Sequence, residues 1–197
     1  PYYMDQINVI KNIAKSLPIN FQLYVKEHPS QKLRSWRKIS IYKELLGLQN
    51  VKVIHPSVKP DELLKKCKMV VSISGTSALE ASFFNKPSII FSDVVFSELS
   101  WIKRLDSFEQ LNEKIKTSLE MSVNQDELNN YVDYIIKNSF DYDNDNFSVM
   151  SQEFFHHGGF LVDTNIEENQ MKQFIEKHDK IFSKIAEEFF KKIQLKS

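Results

Sequence analysis

Val70–Ala81, VVSISGTSALEA, is the stretch on which the fold turns. Val70 and Val71 are β-branched and run into Ser72, Ile73 and Ser74, which reads as a strand. Gly75 then permits a sharp turn, through either a positive φ or a close approach of a ligand to the backbone. Thr76 and Ser77 stand where a helix cap belongs, and Ala78, Leu79, Glu80 and Ala81 continue as a helix. Strand, tight turn and helix in this order leave backbone N–H groups unpaired at the helix start, and hydroxyls on Ser74, Thr76 and Ser77 add donors. Such a junction suits a phosphate. It equally suits a plain strand–helix turn, because turns favour Gly and Ser.

Reading outward, the same alternation recurs. Tyr3–Leu17 spaces Ile7, Ile10, Ile13, Ala14 and Leu17 at helical intervals, and Pro18 ends it. Phe21–Val25 reads as a strand, with Lys26-Glu27-His28-Pro29 at its C-terminal end. Gln31–Leu48 reads as a helix and Val51–Ile54 as a short strand closed by His55-Pro56. Pro60 suits the first turn of a helix over DELLKKC. Met69–Ile73 is the next strand. Asn85-Lys86-Pro87 stops the helix that follows it, and Ser88–Phe91 is a further strand. From Phe21 to Phe91 the pattern is β-α-β-α-β-α-β, which predicts a Rossmann-like α/β fold, a parallel sheet flanked by helices. Ligands of such sheets bind beyond the carboxyl ends of the strands. Both polar motifs, KEHP and SGTS, fall at such ends.

Beyond Phe91 the pattern becomes helical. Ser107–Met121 and Gln125–Lys137 read as helices, Asp141–Asn146 as a polar loop, and Ile166–Ile193 as one amphipathic helix or two. Phe147–Phe160 has no clear period. This divides the chain into a Rossmann-like core over residues 1–105 and a mostly helical part over 106–197, packed on the same domain as a C-terminal extension.

The 197 residues carry 26 Lys+Arg and 26 Asp+Glu, a balance that argues against a nucleic-acid binder. The charge is uneven, with 13 Lys+Arg against 5 Asp+Glu in residues 1–70. Arg34, Arg37 and Lys38 read as a solvated basic helix. Cys67 is the one cysteine, so no internal disulfide can form, in keeping with a reducing compartment. No apolar run approaches the roughly 20 residues of a membrane helix. The chain does not begin with Met and reads as a fragment of a longer protein.

Each candidate site residue has a functional and a plain reading. His28, on a backbone held extended by Pro29, can point into a cleft and donate to phosphate. Alone it reads as a turn histidine; with SGTS at a second strand end it reads as a site. Lys26 either assists the phosphate or is solvated. Glu80 lies four residues after Thr76 on the same helical face, where it can meet ribose hydroxyls or stay a surface glutamate. Asp141, Asp143 and Asp145 copy the opening of a calcium loop, but Asn146 stands where Gly is needed, and no calcium is expected. His156-His157 lack a third ligand at a recognisable spacing, and His55-Pro56 reads as a turn.

VKEHP, NVKVIHP and LLKKCKMVVSISGTSALEASFFNKPSIIF together resemble the C-terminal half of capsule polysaccharide biosynthesis proteins, which include Kdo transferases. The resemblance covers residues 1–95. It implies the C-terminal, nucleotide-sugar-binding domain of a GT-B glycosyltransferase, with CMP-Kdo or a related CMP-sugar as donor. The donor is then a substrate, and neither a cofactor nor a metal is implied. It implies nucleotide contacts from Lys26, His28, Pro29, Ser74, Gly75, Thr76, Ser77 and Glu80. The general base is expected in an N-terminal GT-B domain with no counterpart in this chain, so the catalytic residues are unassigned and the isolated chain is expected to be inactive. The implied acceptor is a glycolipid or polysaccharide. The implied location is cytoplasmic, peripheral to the inner face of the membrane. Alternatives are a CDP-glycerol glycerophosphotransferase, whose turn reads D-Y-S-S, and a UDP-sugar epimerase, whose S-G-G motif Thr76 departs from. A non-catalytic sugar-nucleotide module is the third.

Overall fold

The computed structural model of the chain describes residues 5–28, 37–155 and 165–194. They fall into two compact units, one within residues 5–134 and one within 135–194.

The first unit runs α1 (Gln6–Ser16), β1 (Leu23–Lys26), α2 (Ile39–Leu46), β2 (Val51–Ile54), α3 (Pro60–Lys66) and β3 (Val70–Ser72). It continues through α4 (Ser77–Ser82), β4 (Ser88–Ile90), β5 (Ile102–Arg104), α5 (Leu111–Leu119) and α6 (Gln125–Asn138), which carries the boundary between the units. Every ladder is parallel. The fold is therefore Rossmann-like α/β, as the alternation predicts. Two details differ from a single continuous sheet over Phe21–Phe91. Among the described residues β1 pairs with β2, and β3-β4-β5 form a separate ladder. β5 is also an addition, too short at three residues to show a period of two.

Successive residues of β4 face opposite layers, as strand geometry requires. Ile89 packs with Val9 and Ile13 of α1 and with Leu111 and Ile115 of α5. Ile90 packs with Ala78 of α4, Trp101, Ile102 and Leu128 of α6. Helices thus cover both faces, and fully burying each isoleucine contributes about 1.5–3 kcal/mol. Buried polar groups on the α4 side are paired. Trp101 Nε1 donates to Ser82 Oγ at 2.7 Å, and Ser88 Oγ to the Ala78 carbonyl at 3.0 Å.

The two ladders share a core. Leu23 of β1 touches the cluster that holds Met69 and Val71, whereas no β2 residue does. Leu23 also joins Val51 and Val53 of β2 beneath Ala14 and Leu45. The ladders nevertheless stay separate, with no pairing between β1 and β3 among the described residues.

The stop at Asn85 has a backbone cause. Asn85 takes a left-handed φ of 56°, and the Lys86 N–H returns to the Ala81 carbonyl at 3.0 Å, the pattern of a left-handed helix cap.

In the second unit, α7 (Asn144–Phe155), α8 (Glu168–Lys177) and α9 (Asp179–Gln194) gather rings around Phe174, which is buried. Phe147, Phe154, Phe155 and Phe182 all lie within 6.0 Å of it, centroid to centroid. Ile166–Ile193 resolves into two helices that break at His178, whose ring meets that of Phe174 at 4.7 Å in a tilted arrangement. The aspartate run is a helix start: Asp143 Oδ1 accepts from the Asn146 N–H at 2.9 Å. His156 and His157 lie outside the described residues.

Candidate functional site

At the end of β1 the side chains alternate. Glu27 turns inward and is buried, at 8% exposure. Its Oε1 accepts from Arg37 Nε at 2.8 Å and from the Tyr42 hydroxyl at 3.2 Å. Arg37 also donates from Nη2 to Gln6 Oε1 of α1 at 2.6 Å. Arg37 is therefore no solvated helix residue, as the basic run implied, but the counter-ion of a buried carboxylate. Burial first, then the Glu27 charge, pushes the Tyr42 hydroxyl pKa above its ordinary value. Lys26 and His28 flank this anchor. Lys26 Nζ donates to the Glu27 carbonyl at 3.3 Å, and His28 is exposed at the strand end. Pro29 lies outside the described residues, as does Arg34.

The β3 end is built differently. Ser72 Oγ accepts from the Gly75 N–H at 2.9 Å and closes the turn. Gly75 does not need a left-handed φ. A Cβ there would stand 2.9 Å from Ser72 Oγ, a contact that real Cβ atoms do not make. A side chain at Gly75 would therefore force the Ser72 hydroxyl out of its place in the turn. Thr76 occupies the cap position of α4, yet its side chain caps no backbone N–H. Its hydroxyl donates instead to Glu80 Oε1 at 2.7 Å. The i,i+4 geometry expected for Glu80 is thus present, already engaged with the turn. Among the described residues no hydrogen bond holds the Ser74 or Ser77 hydroxyl. Ser74, Gly75 and Thr76 are exposed and Ser77 is half-buried. α4 spans six residues, so its aligned peptide dipoles are fewer than those of a long helix.

The remaining strand ends are held by contacts of their own. His55, after β2, closes its own turn: its Nδ1 accepts from the Ser57 N–H at 3.2 Å and lies 2.7 Å from Ser57 Oγ. Beyond β4, Ser92 Oγ donates to the Ile73 carbonyl at 2.7 Å and ties β4 to β3. At the end of β5, Arg104 pairs with Asp93 and Asp106. Sequence reading missed the Glu27–Arg37–Tyr42 cluster and Arg104. For Glu27 a signal existed, a carboxylate between two cationic side chains at a strand end, where alternation must bury one of the three. For Arg104 there was none, because β5 itself was not legible.

Lys26 and His28 therefore end β1, and Ser74 to Ser77 with Glu80 follow β3. Each group stands at the carboxyl end of its strand. Among the described residues no group of three or more His, Cys, Asp and Glu side chains is placed to hold a metal ion. No helix there is long and apolar enough to cross a membrane.

This architecture, small parallel sheets flanked by helices with polar turns after the strands, is that of Rossmann-like proteins, which bind ligands at strand ends. The family model for capsule polysaccharide biosynthesis protein matches residues 4–138, more than half of the chain, and the chain belongs to that family. The match runs past the residues 1–95 that carry the resemblance and takes in β5, α5 and α6. No curated protein and no solved structure gives a significant match. Membership places the chain in capsule polysaccharide synthesis, with sugar-related substrates in general.

Proposed function

We propose that the chain is the donor-binding part of a capsule glycosyltransferase and takes a CMP-sugar, of which CMP-Kdo is the leading candidate. Two polar motifs at strand ends carry this reading: His28 follows β1, the Ser74–Ser77 turn follows β3, and parallel α/β folds hold nucleotides beyond the carboxyl ends of their strands. His28 donates one N–H to the donor phosphate when neutral and two when protonated. The Ser74 and Ser77 hydroxyls donate from the other side. Lys26 adds positive charge, Pro29 holds the His28 backbone extended, and Gly75 lets the phosphate approach the turn. Glu80, steadied by Thr76, accepts from ribose hydroxyls.

In the reaction, a base from a facing GT-B domain removes the acceptor hydroxyl proton. The acceptor oxygen bonds to the anomeric carbon as the bond from that carbon to the phosphate oxygen breaks. The electron pair leaves with CMP, whose phosphate keeps its hydrogen bonds from His28 and the turn. The acceptor is a glycolipid or polysaccharide at the inner face of the membrane. The isolated chain binds donor without turning it over.

Calorimetry with CMP, CDP-glycerol and a UDP-sugar tests the proposal. CMP is expected to bind, weakly in the absence of a closing domain. Preference for CDP-glycerol would move the chain to glycerophosphate transfer. Preference for the UDP-sugar would move it to epimerase-like chemistry, and binding of none would leave a non-catalytic module.

A further inference from the structure

On the face of β3-β4-β5 that carries α4, three residues stand in one row. Ser72 is in register with Ile90, and Ile90 with Arg104. Register partners in a ladder share a face, so the Arg104 side chain leaves the sheet on the same side as Ser72, whose hydroxyl closes the candidate phosphate turn. Two strand spacings, about 9–10 Å, separate their backbones. An arginine side chain is long enough to reach across much of such a gap once released from its partners.

Nothing in the fold requires this cation. Arg104 Nη1 lies 3.6 Å from Asp93 Oδ2 and Nε 3.2 Å from Asp106 Oδ1. The arginine is 48% exposed and the aspartates 74% and 61%, and pairs this exposed contribute little to stability. Lys114 Nζ donates to the Arg104 carbonyl at 2.7 Å, which closes the strand end and adds a second positive charge beside it. A guanidinium offers a planar fork that fits carboxylate and phosphate oxygens, and it exchanges one oxyanion for another at small cost when both are solvated.

We propose that Arg104 is a specificity-determining residue of the donor site. It takes an oxyanion that the donor carries beyond its nucleoside monophosphate, and Asp93 and Asp106 hold the guanidinium until that oxyanion replaces them. This rests on the donor-site reading above. Two chemistries supply such a group beside the first phosphate: the second phosphate of a nucleoside diphosphate, and the carboxylate of an acidic sugar.

The test is calorimetry on the full chain, as wild type, Arg104→Gln and Asp93→Asn, with CMP, CDP and CMP-N-acetylneuraminate. Wild type is expected to bind CDP or the acidic sugar nucleotide about 10-fold or more tightly than CMP, as a charge-assisted bond implies. The tighter of the two names the source of the oxyanion. In Arg104→Gln that ratio should fall to within about 2-fold, while Asp93→Asn, which removes a competing carboxylate, should raise it. A ratio that survives in Arg104→Gln, or is absent from wild type, overturns the proposal and leaves CMP binding and the donor-site reading intact. Binding of none of the three by wild type removes both. Should Arg104→Gln fail to fold by circular dichroism, the Asp93→Asn ratio decides: an increase supports the proposal and no change overturns it.

Discussion

Two paired strands end in the same dipeptide, and their histidines meet different fates. β1 leads into His28-Pro29 and β2 into His55-Pro56, with Lys26 and Ile54 in register. At β2 the histidine serves its own turn, its Nδ1 facing Ser57. At β1 the anchor is the residue before it: buried Glu27, clamped by Arg37 and Tyr42, fixes the backbone from which Lys26 and His28 project. The two endings, alike in sequence, thus differ in what is buried beside the histidine.

The largest test of that contrast is in binding. His28→Ala should cost about 1.5–3 kcal/mol of CMP affinity, roughly 10-fold to 100-fold, as expected for a lost hydrogen bond to a charged group. His55→Ala should stay within about 2-fold, because an exposed turn histidine offers the ligand nothing. Equal losses in a titration of both variants would break the contrast.

Stability gives the next test. Arg37→Ala leaves the Glu27 carboxylate buried with one neutral donor, and should lower unfolding free energy by on the order of 2 kcal/mol. At β2, Ser57→Ala should cost under about 0.5 kcal/mol. Urea denaturation of both variants gives the ranking, and the reverse order would deny β1 its anchor.

The smallest effect is on pH. The Tyr42 pKa is raised in the folded state, so the folded protein keeps that proton where the unfolded chain releases it. The resulting stability is present below the unfolded pKa of about 10 and lost as pH climbs through the folded value. Tyr42→Phe should flatten this alkaline loss. An unchanged slope above pH about 10 in thermal melts would show that Glu27 and Tyr42 are not coupled.

The elements legible in sequence were those with a local cause. Val51–Ile54 is β-rich and bounded by turn residues, and it forms β2 at those bounds. Pro60 opens α3 where proline fits a first helical turn. Less was legible where the cause is remote. Ile102–Arg104 forms a strand because β4 pairs with it. Asn144–Phe155 forms a helix around rings that meet α8 and α9, which the sequence of α7 alone does not announce. The site divides in the same way. Thr76 and Glu80 meet at a spacing of four, as a helix dictates. Glu27 and Arg37 meet across ten residues that no local rule spans.

The most direct test of the central claim is a crystal structure of the chain soaked with CMP. The CMP phosphate is expected beyond the β1 and β3 ends, within about 3 Å of the His28 ring on one side and of a Ser74 or Ser77 hydroxyl on the other. The ribose should lie along the first turn of α4 beside Glu80. A nucleotide bound away from the β1 and β3 ends, or no nucleotide at saturating CMP, would contradict it.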